Sequence, residues 1–133
     1  MARRRPTTAE EFLALRRALT ENHKTALMDE LDEDIPQLIE ADSDQAEIII
    51  RALASSDDPA DRDTASIYVQ DLFRARPATA QDIWIKLARD PNQSVRDQAR
   101  ECASETLPEL LFSSDTEVQR HALATIDAIT APY

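Results

Sequence analysis

The stretch that decides the fold is residues 87–103, LARDPNQSVRDQARECA. An apolar helical run stops at Pro91, because proline lacks the N–H that would continue a helix. After a short polar bridge, Val95, Ala99 and Cys102 recur at the spacing of one buried helix face. The stretch therefore predicts a corner between two packed helices.

The composition favours helices throughout the chain. Glycine is absent and proline occurs seven times. Sharp β-hairpins and phosphate-binding loops usually need glycine, because only glycine adopts positive φ angles without steric cost. A length of 133 residues suits one domain. We predict a single all-α domain over residues 1–133.

The corner recurs along the chain as part of a repeat. At an offset of 34, six residues recur as Ile83, Leu87, Ala88, Arg96, Asp97 and Ala99, from Ile49, Leu53, Ala54, Arg62, Asp63 and Ala65. A single helical hairpin cannot bury both of its faces, so repeated hairpins predict a stack. We place the repeats in residues 45–130 and expect the first helix of the last unit to be short, at about residues 107–112.

The first third of the chain shows no such repeat. The pair Thr7-Thr8 offers a threonine N-cap, and the helix after it is expected to continue or break near Asn22. A short helix is predicted from Asp34, and Ser43 is the predicted cap of the next one. Residues 8–44 are therefore expected to cap the stack, and residues 1–7 to form a flexible basic tail.

The pattern Asp90-Pro91, followed by Val95-Arg96 and Ala99, resembles the HEAT repeat. The likeness is partial in the last unit and weakest in the earliest one, and it covers about residues 45–130. It implies a short right-handed α-α superhelix of about seven helices. It also implies that Asp90 and Arg96 tie loop to helix between neighbouring units.

The net charge of −11 is concentrated in one segment. Residues 25–63 contain thirteen acidic residues and only two arginines. Such a chain is a poor non-specific binder of nucleic acid, since that affinity comes from lysine and arginine. The segment could instead imitate a phosphate backbone and be steered onto a basic enzyme, which predicts an inhibitor or immunity-type protein as an alternative function.

Our first hypothesis is a non-enzymatic module that binds a protein partner. HEAT-like stacks present their second helices on a concave face, and here these helices contribute Asp63, Gln70, Arg74, Asp97, Arg100 and Glu101. The acidic segment offers a second candidate surface at Asp29, Glu30, Asp32, Glu33 and Asp34. The pattern leaves open which of the two surfaces binds.

No catalytic or metal-binding pattern is apparent in the sequence. His23 and His121 are far apart, and Cys102 falls on a buried stripe. The acidic run lacks the glycine of a calcium loop. We therefore expect no enzyme, cofactor or resident metal. A third hypothesis, a DNA-repair protein akin to HEAT-like alkyl-base glycosylases, is disfavoured by the charge, and Trp84 is interpreted as a core residue.

The cellular setting follows from what the chain contains. A single cysteine allows no internal disulfide, and no apolar run approaches the roughly 20 residues of a membrane helix. We expect a soluble cytoplasmic protein with a protein partner, no membrane contact and no small-molecule substrate. The sequence leaves its oligomeric state open.

Overall fold

The computed structural model describes residues 8–22 and 24–130, apart from the side chains at positions 25, 26 and 28. Every regular element in these residues is an α-helix, which confirms the all-α prediction. The elements are α1 (Ala9–Glu21), α2 (Thr25–Asp32), α3 (Asp34–Ala41), α4 (Ser43–Ala54), α5 (Pro59–Leu72), α6 (Pro77–Ala88), α7 (Gln93–Leu110) and α8 (Thr116–Thr130). Only Glu33 separates α2 from α3, so the expectation of about seven helices is close. The predicted tail, residues 1–7, and His23 lie outside the described residues.

Side chains cap the start of α1, α4, α5 and α7, whereas α2, α3 and α6 begin without a side-chain cap. Thr8 Oγ1 accepts from the Glu11 amide at 3.1 Å, as predicted. Asn92 Oδ1 accepts from the first amides of α7, at 2.9 Å from Ser94 N. Proline is the first residue of α5 and of α6, where its missing N–H costs no helical hydrogen bond. The predicted cap at Ser43 is wrong, because the Asp42 carboxylate caps α4 and Ser43 is its first helical residue.

The helices pack in two rows. In one row α1, α4, α6 and α8 contact each other in that order, and in the other α3, α5 and α7 do. Between the rows, α5 contacts both α4 and α6, and α7 contacts both α6 and α8. Ala65, Ala99 and Ala122 are all 0% exposed, and their small side chains let neighbouring helices approach closely.

The interior between the rows is centred on one aromatic pair. Trp84 is fully buried, and its ring meets that of Phe73 edge to face at a centroid distance of 5.9 Å. Its indole N–H donates to the Ala99 carbonyl at 2.9 Å, so α6 and α7 are joined by a satisfied polar contact. Trp84 is thus a core residue, as predicted.

The Asp-Pro corner is held from two sides. Arg96 donates to the backbone carbonyls of Asp90 at 2.7 Å and Pro91 at 3.0 Å. The Asp90 carboxylate does not bind Arg96 but accepts from Arg62 of the preceding helix pair, at 2.8 Å and 3.2 Å. The ion pair that links neighbouring helix pairs is therefore that of Arg62 with Asp90, while Arg96 donates hydrogen bonds within its own corner.

The last unit differs from the expectation. No separate helix forms over residues 107–112, because α7 continues to Leu110 with Pro108 in its last turns. Proline there removes only one helical hydrogen bond, on an exposed face where the chain can adjust. As a result α8 follows α7 directly and packs on α6, in the row of first helices and not among the second helices.

Candidate functional site

A groove of about 350 Å³ lies between one stripe of α2 and one stripe of α5. The residues from α5 follow one another at helical spacing, so they share one face. The groove is lined by Asp29, Asp32 and Glu33 at α2, by Ala60, Asp63, Thr64, Ile67 and Tyr68 on α5, and by Arg16 of α1. The acidic segment and a second helix, predicted as separate surfaces, meet here.

Arg16 forms the charged end of the groove and is only 3% exposed. Its guanidinium donates to both oxygens of Asp32, at 2.8 Å and 3.2 Å, and also pairs with Asp61. It donates to Thr64 Oγ1 at 2.6 Å. These contacts compensate two buried carboxylates and join α1 to α2 and α5, so this part of the groove is structural.

Asp63 occupies the opposite wall. One carboxylate oxygen accepts from Ser94 Oγ at 3.3 Å, while the other is buried and has no hydrogen-bond partner among the described residues. Burial raises the pKa of the Asp63 carboxyl, and the Ser94 hydrogen bond partly opposes this increase. Such an oxygen is rare in folded proteins, which distinguishes Asp63 from the other carboxylates of the groove.

Tyr68 lines the groove close to several carboxylates. Its pKa is raised to about 12, first by burial and then by the carboxylates of Asp32, Glu33, Asp71 and Asp29. Three of these carboxylates, those of Asp29, Asp32 and Glu33, also line the groove, and each disfavours the loss of the phenolic proton. Beside Tyr68, Ile67 is 39% exposed and adds an apolar patch.

The predicted acidic surface divides into two roles. Asp29, Glu30 and Glu33 are exposed and Asp34, at the start of α3, is half-buried. Asp32 is 7% exposed and held by Arg16, so its prediction as a partner-binding residue is not supported by its position. Burial of this carboxylate could not be inferred from an acidic run.

The predicted residues of the second helices are also scattered over different surroundings. Asp97 and Glu101 are exposed on α7. Gln70 accepts from Thr106 and joins α5 to α7. The remaining two predicted residues are an exposed Arg74 beyond the end of α5, and Arg100, which donates to the Ile129 carbonyl at 2.7 Å. Only Asp63 of this set lines the groove.

The reactive residues considered in the sequence have structural surroundings. Burial raises the pKa of the Cys102 thiol, and its side chain is buried as predicted. His121 is not simply solvated: its Nδ1 lies 2.5 Å from Gln81 Oε1, linking α8 to α6. Within residues 8–22 and 24–130, no group of three or more histidine, cysteine or acidic residues is arranged to hold a metal ion.

Arg16, Ile67 and Tyr68 are groove residues that the sequence did not assign. Arg16 stands four residues after Phe12 and three before Leu19, on the apolar stripe of α1. An arginine on such a stripe signals a buried ion pair, since a lone charge is not buried without a partner. Tyr68 has helical spacing from the buried Ala65 and Leu72, which predicts a buried side chain, whereas it is half-buried at the groove.

Comparisons with known proteins add no assignment: no family model, no curated protein and no solved structure matches this chain. No helix in the part of the chain that the structure describes is long and apolar enough to span a bilayer.

Proposed function

We propose that this protein is a non-enzymatic interaction module of HEAT-like type that binds a basic segment of a protein partner in the groove between α2 and α5. The observation that carries the proposal is the group of carboxylates that lines the groove around Tyr68, beside the exposed side chain of Ile67. A long lysine or arginine side chain fits both features, because its aliphatic stem packs on apolar surface while its charged end meets a carboxylate.

The charged residues available to such a partner are those that no buried arginine neutralises. Asp29 and Glu33 are exposed and line the groove opposite Asp63 of α5, and Glu30 is exposed beside them on α2, outside the lining. The volume of about 350 Å³ lies at the lower end of the roughly 300–1,000 Å³ of ligand pockets. It suits one or two side chains of a peptide segment, while the flanking helices offer further contact area.

The test is capture of partners from the native host by the tagged chain, followed by mass spectrometry. A groove variant reverses three exposed charges, Asp29→Lys, Glu30→Lys and Glu33→Lys, and leaves Asp32 intact because it pairs with Arg16. A control variant makes three equal reversals on α7 and α8, at Glu105, Glu109 and Asp127, all exposed.

We expect a specific partner that is captured by the native chain and the control variant but lost with the groove variant. Equal loss with both variants would show that only net charge matters, and would contradict a groove site. Circular dichroism of each variant checks that the helices are retained.

A second candidate function is an acidic inhibitor of a basic enzyme, and the charge of residues 25–63 favours it. Long-range steering of such a complex would make the association rate fall steeply with added salt. A captured partner whose association rate hardly changes between low and physiological salt would exclude this version, while leaving the interaction module in place.

A further inference from the structure

The two rows of helices end at a cleft between α7 and α8. Its volume is about 220 Å³, and its lining is mainly apolar. It is lined by Arg100, Ala103, Ser104, Leu107 and Pro108 of α7 and by Ile126, Ile129 and Thr130 of α8. The residues from α7 share one helix face.

The equivalent face of α5, 34 residues earlier, is an internal interface. There Asp63 and Gln70 are half-buried and accept hydrogen bonds from Ser94 and Thr106 of α7. On α7, by contrast, the residues 34 positions later, Asp97 and Ser104, are exposed. The structure thus shows what covers this face in one unit and leaves it open in the next.

Two arginines at equivalent positions, Arg62 and Arg96, show the same difference between the two units. Arg62 Nη1 donates to the Ser56 carbonyl at 2.9 Å, and Arg96 Nη1 donates to the equivalent Asp90 carbonyl at 2.7 Å. The other edge of Arg62, Nε and Nη2, holds the Asp90 carboxylate of the next corner. Among the described residues, no carboxylate lies within ion-pair distance of Arg96.

Three arginines lie near the cleft. Arg89 Nη2 donates to the Ala128 carbonyl at 3.3 Å, and Arg100 Nη1 donates to the Ile129 carbonyl at 2.7 Å. Arg96 lies one helical turn before Arg100 on the same face. Because exposed carboxylates, those of Asp97, Glu101 and Asp127, stand on the same two helices, the preference for an acidic corner rests on the Nε–Nη2 edge of Arg96 and not on the net charge of the cleft.

We propose that the cleft between α7 and α8 is a docking site for an α-helix of a partner protein that begins after an acidic corner. The helix packs on α7 as α7 packs on α5, and the carboxylate of its corner binds the Nε–Nη2 edge of Arg96 as Asp90 binds Arg62. This surface is separate from the groove between α2 and α5, so either site can fail without the other.

The probe is a fluorescein-labelled, amidated peptide with the sequence of residues 89–110, which carries the corner and helix of the internal interface, with Cys102→Ser to prevent oxidation. Anisotropy titration with the full chain should show binding. Either Arg96→Gln in the chain or Asp90→Asn in the peptide should weaken binding about tenfold or more. The two changes together should cost little more than either alone, because they remove the same contact.

The matched control is Lys86→Gln, an exposed cation on α6 away from the cleft lining, which should leave the affinity unchanged. Binding that is insensitive to both Arg96→Gln and Asp90→Asn would overturn the proposal, because the peptide would then be held elsewhere.

An isolated helix of this length is only marginally stable in water, and an unfolded peptide would not bind. A second measurement therefore tests the proposal without a free peptide. Residues 89–110 are appended to the full chain, which raises their effective concentration at the cleft. We expect a higher Tm than that of the native chain, with the increase lost on Arg96→Gln or on Asp90→Asn in the copy. An appended helix that leaves the Tm unchanged would overturn the proposal.

Discussion

Arg16 and Arg62 both join successive parts of the molecule through aspartate, yet their surroundings differ. The Arg16 side chain is 4% exposed and pairs with Asp32 and Asp61, while that of Arg62 is 16% exposed and pairs with Asp90 alone. Both pairs are supported by further hydrogen bonds, from Ser56 Oγ to Asp61 and from Arg62 to the Ser56 carbonyl. Burial therefore determines how much such an ion pair contributes to stability, because a deeply buried charge that loses its partner cannot reach water.

The largest effect is expected from Arg16→Ala. The substitution leaves Asp32 and Asp61 buried without their counter-charge, and we expect a loss of about 3–5 kcal/mol in the free energy of unfolding. Urea denaturation followed by circular dichroism measures it. The control Arg17→Ala changes an exposed neighbour on α1 and should stay within about 0.5 kcal/mol of the native chain.

A smaller loss in the free energy of unfolding is expected from Arg62→Ala, which removes the ion pair between α5 and the corner that joins α6 to α7. We expect about 1.5–3 kcal/mol, the usual range for hydrogen bonds to charged groups, because Arg62 is partly reached by solvent. The same urea titration, with the exposed Lys86→Ala as control, checks the value. A loss equal to or greater than that of Arg16→Ala would break the proposed dependence on burial.

Burial first, and then nearby carboxylates, raise the pKa of Tyr68 to about 12. These carboxylates include Asp32, which Arg16 holds, and the exposed Asp29 and Glu33. With Tyr133→Phe, Tyr68 is the only tyrosine left, and its ultraviolet absorbance gives the pKa directly. Asp29→Asn with Glu33→Gln should lower this pKa, although burial, the larger cause, should keep it above 10. An unchanged pKa would mean that these carboxylates do not act on the groove.

The same shift makes stability depend on pH in a defined direction. Because the folded state keeps the Tyr68 proton more tightly than the unfolded state, its contribution is complete below pH 10 and is lost as the pH rises from 10 to about 12. Tyr68→Phe should therefore reduce the loss of stability over this interval.

The smallest effect is expected at Arg76, whose side chain is 36% exposed and whose partner Asp44 is 80% exposed. Arg76→Gln removes this pair and a longer one of 3.5 Å to Glu47, and pairs of a solvated side chain contribute little. We expect a slight decrease in Tm that disappears in high salt, where exposed charges are screened. A decrease in Tm that persists in high salt would show that these ion pairs behave like the buried ones.

The internal corner was predictable because its causes are local. Pro91 ends a helix wherever it stands, and Val95, Ala99 and Cys102 share a face by helical geometry alone. All three are buried in the structure. The end of the stack was not predictable in this way, since an amphipathic stripe such as that of α8 fits either row of helices. Its row was decided by the continuation of α7 through Pro108.

The candidate site was predictable only in part for the same reason. The sequence indicated an acidic segment and a second helix, but Asp32 and Arg16 are 16 residues apart and Asp63 is 31 positions from its partner Ser94. Contacts over such separations depend on how the helices pack. Which carboxylates are paired, and which are left to face a groove, therefore cannot be inferred from composition.

By itself, the sequence determined the helical class, the position of the Asp-Pro corner and most of the buried faces, because proline sterics and helical periodicity act within a few residues. The tertiary structure alone decided that Arg62 holds Asp90, that Arg16 neutralises Asp32 and Asp61, and that an acidic groove and an open cleft remain. The reason is physical: the state of a charge depends on its burial and its neighbours, and both are set only when distant helices meet.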